Sequence, residues 1–295
     1  MRGMDRINDA LATLESRIGE QVDAAELARI ALMGEHHFRR MFATLAGMGL
    51  GEYVKRRRMT LAAAEVRDGR DAMLAIAQRY GYANGDSFAR AFREVHGVAP
   101  TDARDPATRL HSQSRLSFHL VLQGATTMTH RIVDLDAFTI VGRATRVPLV
   151  HRGPNPDIAA FTASIPVEET VALKARNDAE PRGVLAVSDD LDPSYAEGTM
   201  LTYVHGVAVT NADEADDRVL EVAAGQWLVL EPTDPSDAAL QELWPYAFTE
   251  WFPANGYELA SGPSIVTMRL RDDGSGLDRE LWLPISRSRT RADRP

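Results

Sequence analysis

Four residues recur at a fixed distance in the first third of the chain. Phe38, Arg40, Phe42 and Gly47 return fifty positions later as Phe88, Arg90, Phe92 and Gly97. On a helix the two phenylalanines of each set, four apart, share one face and pack inward. The arginine lies two positions from each Phe, about 200° around the helix, and points outward. An arginine held there offers a planar fork of donors to guanine O6 and N7 or to a phosphate. One such helix would be an ordinary solvated helix; two in register point to a repeated binding unit.

The elements that must position these arginines are helical. Ile7, Leu11, Leu14 and Ile18 form one apolar stripe, closed by Gly19. Asp23 is the expected N-cap of a short helix reaching Ala31, with Glu26 completing a capping-box pattern. Further helices are expected over 35–45, 51–67, 72–80 and 86–95, stopped by Gly47, Gly69, Gly81 and Gly97. Each reading helix thus follows a shorter helix and a tight connection, the helix-turn-helix arrangement. The stretch 101–114, with Pro106, reads as a linker. After Arg115 the period changes, with strand-like runs over 131–147, 183–188, 199–210, 220–231, 264–270 and 280–286. Helical patterns interrupt them over 157–175 and 237–252, so the order strand–helix–strand–strand occurs twice. The expected fold class is multidomain: an all-α head followed by an α+β domain.

Composition agrees with two units. A chain of 295 residues suggests about two domains at roughly 150 residues each. With 44% hydrophobic and 25% charged residues it is in the globular range. No cysteine is present, which excludes disulfides, thiolate zinc sites and a thiol nucleophile. The opening residues have no apolar run, so a secretory signal is not expected and the expected location is the cytoplasm. The net charge of −9 would argue against nucleic acid, but it is unevenly spread. Residues 1–110 carry 17 Lys/Arg against 15 Asp/Glu, and the rest carry 16 against 27. The acidic second part is therefore expected to sit away from any duplex, and the head to work alone.

The segment IAQRYGYANGDSFARAFREVHGVAP at 76–100 closely resembles the second helix-turn-helix of the AraC/XylS family of transcription factors. Ile76, Ala77, Gly81, Tyr82, Ser87, Phe88, Arg90, Phe92, Gly97 and Pro100 stand at its signature positions, and 51–67 resembles the family's linker helix. The resemblance covers about 100 residues. It implies DNA contacts from His36, Arg39 and Arg40 on the first reading helix and from Asp86, Ser87 and Arg90 on the second. His36 stands where an aromatic is common and Asp86 where a neutral amide is common, which implies an altered site preference. His37 is expected to be a packed polar residue. The run from Lys55 to Arg58 spans every side of its helix; Arg58 is expected in an ion pair and Arg57 on a phosphate. A linker helix of 17 residues is about 25 Å long, against about 34 Å between groove segments. Either the duplex bends or one reading helix engages only partly.

The second part, with AGQWLVL, LWPYAFTEWFPANGYEL and ELWLPI, resembles the gyrase-inhibitor-like effector-binding domain. Joined behind an AraC-type head, this is the arrangement called Rob-like. The resemblance implies a cleft for amphipathic, often cationic, small molecules, with Phe161, Tyr203, Trp227 and Trp251 as cleft residues. Val266 and Met268 stand where relatives carry an acidic residue and an aromatic, so an apolar, neutral ligand is expected. Glu169, Glu197, Glu231 and Glu250 are the candidate substitutes for the missing charge.

No metal-ligand spacing, phosphate-binding loop or GxSxG elbow accompanies these motifs, and no catalytic residue, metal or cofactor is expected. The expected function is a sequence-specific DNA-binding transcriptional regulator responding to a small apolar or amphipathic effector. Its expected partners are double-stranded DNA, that effector and RNA polymerase, with no membrane. The alternative is a hydrolase or a protein-interaction module carrying a DNA-binding head. The expected division is a head at 5–105, a linker at 106–126, a small-molecule-binding domain at 127–288 and a disordered tail at 289–295.

Overall fold

The computed structural model describes residues 2–118, 128–151, 153–213, 219–270 and 277–288. The tail at 289–295 and the second part of the linker lie outside the described residues. The head is six helices: α1 (Arg2–Ser16), α2 (Ala24–Ile30), α3 (Glu35–Ala46), α4 (Leu50–Asp68), α5 (Met73–Arg79) and α6 (Gly85–His96). Asp23 caps α2 by accepting the amide protons of Ala25 and Glu26 at 2.8 and 3.2 Å. The two reading helices end alike, on Gly47 and Gly97 at φ of +66° and +77°, a left-handed conformation that glycine adopts without strain.

α4 has no single apolar face because it feeds two cores. Its first half gives Tyr53 and Val54 to a core with Ile7, Leu11, Phe38 and Phe42. Its second half gives Met59, Ala62 and Val66 to a core with Ile76, Phe88 and Phe92. Residues 110–118, expected as free linker, lie along the head as a strap. Leu116 N–H donates to the Tyr53 hydroxyl at 3.1 Å, and Asn8 exchanges two 2.8 Å hydrogen bonds with the Phe118 backbone.

The second domain is one antiparallel sheet with helices on one face. Its strands are β1 (Thr129–Leu135), β2 (Phe138–Pro148), β3 (Val184–Asp189), β4 (Met200–Val209), β5 (Val219–Val222), β6 (Gly225–Glu231), β7 (Tyr257–Leu259), β8 (Ser264–Leu270) and β9 (Leu277–Arg287). The order β1-β6-β9-β8-β3-β4-β2-β5, with β7 on β9, is a pseudo-twofold about the β3–β8 pair. Each repeat is a long strand, helices and a hairpin: β2 then β3–β4, and β6 then β8–β9. The run 131–147, expected as one strand, breaks at 136–137, and β1 and β2 part to opposite ends of the sheet. The run 220–231 breaks likewise into β5 and β6, so each repeat lends its leading strand to the other repeat's edge. The sheet curls far enough that Phe138 on β2 meets Trp227 on β6, with ring centroids 6.2 Å apart. That concave core is completed by Leu185, Val187, Val204, Ile265 and Trp282.

On the other face lie α7 (Pro156–Ala163) and α8 (Val167–Ala175), one expected helix split at Pro166. The second repeat carries α9 (Asp237–Gln241), α10 (Leu243–Tyr246), a π-helical turn at Ala247–Trp251 and α11 (Phe252–Asn255). The head does not stand apart from this face. Leu228, Leu230, Phe248, Trp251, Leu281 and Leu283 belong to the same continuous core as Ile7, Leu11 and Phe38. The expectation of a separate head fails for its first unit, because apolar residues on α1 and α3 cover the helices of the second repeat.

Candidate DNA-reading surface and ligand cavity

The second reading helix is open. The Asn84 side chain caps α6 by accepting the Ser87 amide proton at 2.9 Å, and the Ser87 hydroxyl donates back to the Asn84 carbonyl at 3.0 Å. That cap fixes the first turn, from which Asp86 projects into solvent, and Arg90 and Arg93 project from the turns that follow. Phe88 and Phe92 are fully buried behind them, so the outward geometry expected for Arg90 is present.

The first reading helix is covered. By the fifty-residue repeat, His36, Arg40 and Ala43 on α3 correspond to Asp86, Arg90 and Arg93 on α6. Here that face turns to the second domain. The Tyr195 hydroxyl lies 3.2 Å from His36 Nδ1, and the Arg40 guanidinium stacks over the Tyr195 ring, 5.2 Å from its centroid. Burial, then the nearby Arg40 charge, holds His36 below the usual histidine range. Tyr195 reaches this place from a loop backbone at φ +49°, a conformation costing a bulky residue about 1–3 kcal/mol. A Cβ on Gly49, at the start of α4, would sit 2.6 Å from the Ser194 carbonyl oxygen, so only glycine admits the loop so close. His37, next along α3, is buried against Phe248 and Phe252 and accepts the Leu259 amide proton at 2.9 Å. Burial drives its pKa down to about 3, so it is a neutral acceptor.

The basic run on α4 is spent on structure. Arg57, expected on a phosphate, is instead paired with Glu15 at 2.7 Å and donates to the Gln113 carbonyl of the strap at 2.7 Å. Both side chains of that pair are nearly buried, at 12% and 9% exposure. Burial alone would raise the Glu15 carboxyl; hydrogen bonds from Arg57 and Tyr53 outweigh it and hold it below the usual range. Arg58, expected in an ion pair, donates to the Ile18 carbonyl at 2.6 Å and to the Glu20 carbonyl, closing the end of α1. Lys55 pairs with Glu52 and Glu94, and Arg56 with Glu52. Arg39 pairs with Glu35 at 2.8 Å and, with Lys55, Arg58 and Tyr82, lines a cleft of about 540 Å³ between the two units. The sequence could not separate Arg57 from Arg58 because partners from α1 and the strap decide their roles.

A cavity of about 650 Å³ lies between α3 and the second domain, within the usual range for small-molecule sites. Its apolar lining comes from Leu149, Ile158, Trp244, Pro245, Ala43 and Leu45, and its polar groups include Arg40, His151, Ser188, Tyr195, Glu242 and Ser264. His151 braces the Tyr195 loop: its ring Nε2 lies 2.8 Å from the Tyr195 carbonyl, and its backbone N–H donates to Glu197 at 2.9 Å.

Of the expected cleft residues, Tyr203 and Phe161 meet edge-on at 6.0 Å and pack with Leu149 and Ile158 behind the cavity wall. Val266 is half-buried, two residues along β8 from Ser264 and on its side of the strand, and Met268 lies two further. Trp227 fills the concave core and Trp251 the shared core; neither lines the cavity. Trp244, seven residues before Trp251 in the same aromatic segment, does. Arg40, Tyr195, His151 and Glu242 were not expected there. Among the four candidate glutamates, Glu169 pairs with Arg143 and Glu231 with Arg131, which occupies both. Among the described residues no cluster of His, Cys, Asp or Glu could hold a metal, and no helix is long and apolar enough to cross a membrane.

Residues 27–105 match a family model described as a helix-turn-helix domain. Residues 128–286, more than half of the chain, match one described as a GyrI-like small molecule binding domain. Regulatory protein SoxS of Escherichia coli (strain K12) is 31% identical over 98 residues, 33% of this chain and 92% of SoxS. Multiple antibiotic resistance protein MarA of Salmonella typhimurium is 27% identical over 109 residues, 37% of this chain and 84% of MarA. The structure of SAV2435 bound to tetraphenylphosphonium is 20% identical, covers 54% of this chain and 94% of that one, and superposes with a TM-score of 0.43.

Proposed function

The chain belongs to the AraC-type DNA-binding transcriptional regulators and carries a GyrI-like small-molecule-binding domain; from that premise we propose that it reads an asymmetric site, α6 supplying the primary base contacts, and responds to a small apolar or amphipathic effector held in the cavity beside α3. The observation that carries this reading is the open face of α6, where Asp86 and Arg90 project from a helix fixed by its cap and its buried Phe pair. A rigid outward Arg suits a bidentate guanine contact, and an Asp suits cytosine N4. The two units differ in sequence, so one chain can read two different half-sites.

We further read the chain as a binding protein rather than an enzyme, working in the cytoplasm with RNA polymerase as its downstream partner. In support, the relative SoxS is named as a regulatory protein. The division we adopt is a DNA-binding unit over 5–105 and an effector unit over 127–288, joined by 106–126. The test is fluorescence anisotropy on a selected duplex and on random DNA. Arg90→Ala should cost about 1–3 kcal/mol on the selected site and relax preference there. Equal losses on both duplexes would reduce Arg90 to a phosphate contact.

A further inference from the structure

The fifty-residue repeat supplies an internal comparison. On α6 the face holding Asp86, Arg90 and Arg93 is exposed, whereas the matching face of α3, holding His36, Arg40 and Ala43, is turned to the second domain. Arg40 and Ala43 of that reading face, with Thr44 beside them, also form one wall of the interdomain cavity. A helix with its side chains fills a major groove about 12 Å wide. That face cannot lie in a groove and close the cavity together.

The chemistry of the wall identifies what the cavity takes. Arg40 is drawn below the ordinary guanidinium range by burial, and among the described residues no carboxylate lies within ion-pair distance of it. Among the described residues its side-chain hydrogen-bond partner is the Tyr195 hydroxyl, and the ring stacking adds no counter-charge. Around it are the apolar surfaces of Leu149, Ile158 and Trp244. A half-buried cation facing an apolar cavity is stabilised by an anion. Glu242, which lines the same cavity from the second domain, would oppose that anion, and His151 is engaged with the Tyr195 loop.

We propose that the cavity between α3 and the second domain binds an apolar molecule bearing one anionic group, which pairs with Arg40, and that this ligand and the first unit's grip on DNA exclude one another. Bound there, the anion ties the reading face of α3 to the effector domain, which favours the closed arrangement; a duplex that takes Arg40 opens the cavity. The coupling is reciprocal, so DNA weakens the ligand by the factor by which ligand weakens DNA. This inference rests on the small-molecule sensing proposed above.

The test uses the full chain and three matched fluorescent probes: pyrene-1-carboxylate, pyrene-1-carboxamide and 1-pyrenemethylammonium. Polarisation titrations should show the carboxylate binding at least tenfold tighter than the carboxamide, and the ammonium weakest. Arg40→Met should erase the preference for the carboxylate, and Glu242→Gln should tighten it severalfold. Saturating carboxylate should weaken the full chain on a labelled duplex at least tenfold, whereas Tyr195→Ala, which releases α3, should bind the duplex more tightly than wild type. A carboxamide or ammonium that binds as tightly as the carboxylate overturns the anionic ligand while leaving small-molecule sensing in place. Carboxylate binding that leaves the duplex affinity unchanged overturns the exclusion. Failure of all three probes to bind overturns the sensing reading and this inference with it.

Discussion

His37 on the first reading helix and Leu259 on β7 share a hydrogen bond across the boundary between the two domains, the ring Nδ1 accepting the backbone N–H at 2.9 Å. With its ring between Phe248 and Phe252, the pair joins DNA-reading and effector-binding surfaces into one packed body.

Acid should loosen that body. His37 has a folded pKa of about 3 against an ordinary 6.5. Above pH 6.5 the ring is neutral in both states and the contribution is complete. Below it the unfolded chain binds a proton that the folded chain refuses, so stability falls by about 1.4 kcal/mol per pH unit. His36, His96 and His205 are lowered in the same direction and add to the slope. His37→Leu, which leaves the Leu259 N–H unpaired, should cost about 1–3 kcal/mol at pH 7.5. It should also flatten the decline between pH 6.5 and 5.5. Denaturant unfolding of both proteins across that range measures the difference; parallel declines would mean His37 is open to water.

Breaking the pair between Arg57 and Glu15 should unfold the head rather than alter its specificity. Removing one partner of a nearly buried pair leaves the other charge stranded, at about 3–5 kcal/mol. Glu15→Ala should show that loss in urea while keeping the wild-type ratio of specific to random DNA affinity in the fraction still folded. A changed ratio at full stability would return Arg57 to the duplex.

Salt dependence should locate the phosphate contacts. Each phosphate neutralised adds about 0.9 to the slope of log K against log salt. Arg56 is engaged with Glu52, whereas Arg90 and Arg93 project freely from α6. Arg93→Gln should therefore lower the slope by about 1, and Arg56→Gln should leave it unchanged. The reverse pattern would place the duplex along α4.

Tryptophan fluorescence should report the cavity through one residue. Of the four tryptophans, Trp244 lies on the cavity wall, while Trp227, Trp251 and Trp282 are core residues at 2–3% exposure. Effector quenching should vanish in Trp244→Phe and persist in Trp251→Phe. Loss in the second variant alone would move the site into the shared core.

Periodicity carried most of the helical head, because its helices other than α4 have one apolar stripe and the reading helices end on a stop residue, Gly47 or Gly97. It also carried the order of the second domain. It did not show the partings at 136–137 and 223–224, since both strands of each pair alternate alike and only the curled sheet sends them to opposite edges. The outward set of Arg90 followed from the spacing of Phe88 and Phe92. Arg40 has the same local spacing, and its covering depends on Tyr195, 155 residues away in a loop with no pattern of its own. The aromatic segment at 243–259 was legible as functional, but Trp244 and Trp251, seven apart, would share one face of a regular α-helix, and the π-helical turn at Ala247–Trp251 that interrupts this phase has no sequence signal.

The covering of α3 is tested most directly by hydroxyl-radical footprinting of the full chain on a selected duplex, at protein concentrations near half-saturation. With pyrene-1-carboxylate bound, the wild type should protect one major-groove segment, that read by α6, and Tyr195→Ala should protect a second about 34 Å away along the same face. Equal protection of both segments by the ligand-bound wild type would contradict the covered arrangement of the first reading helix.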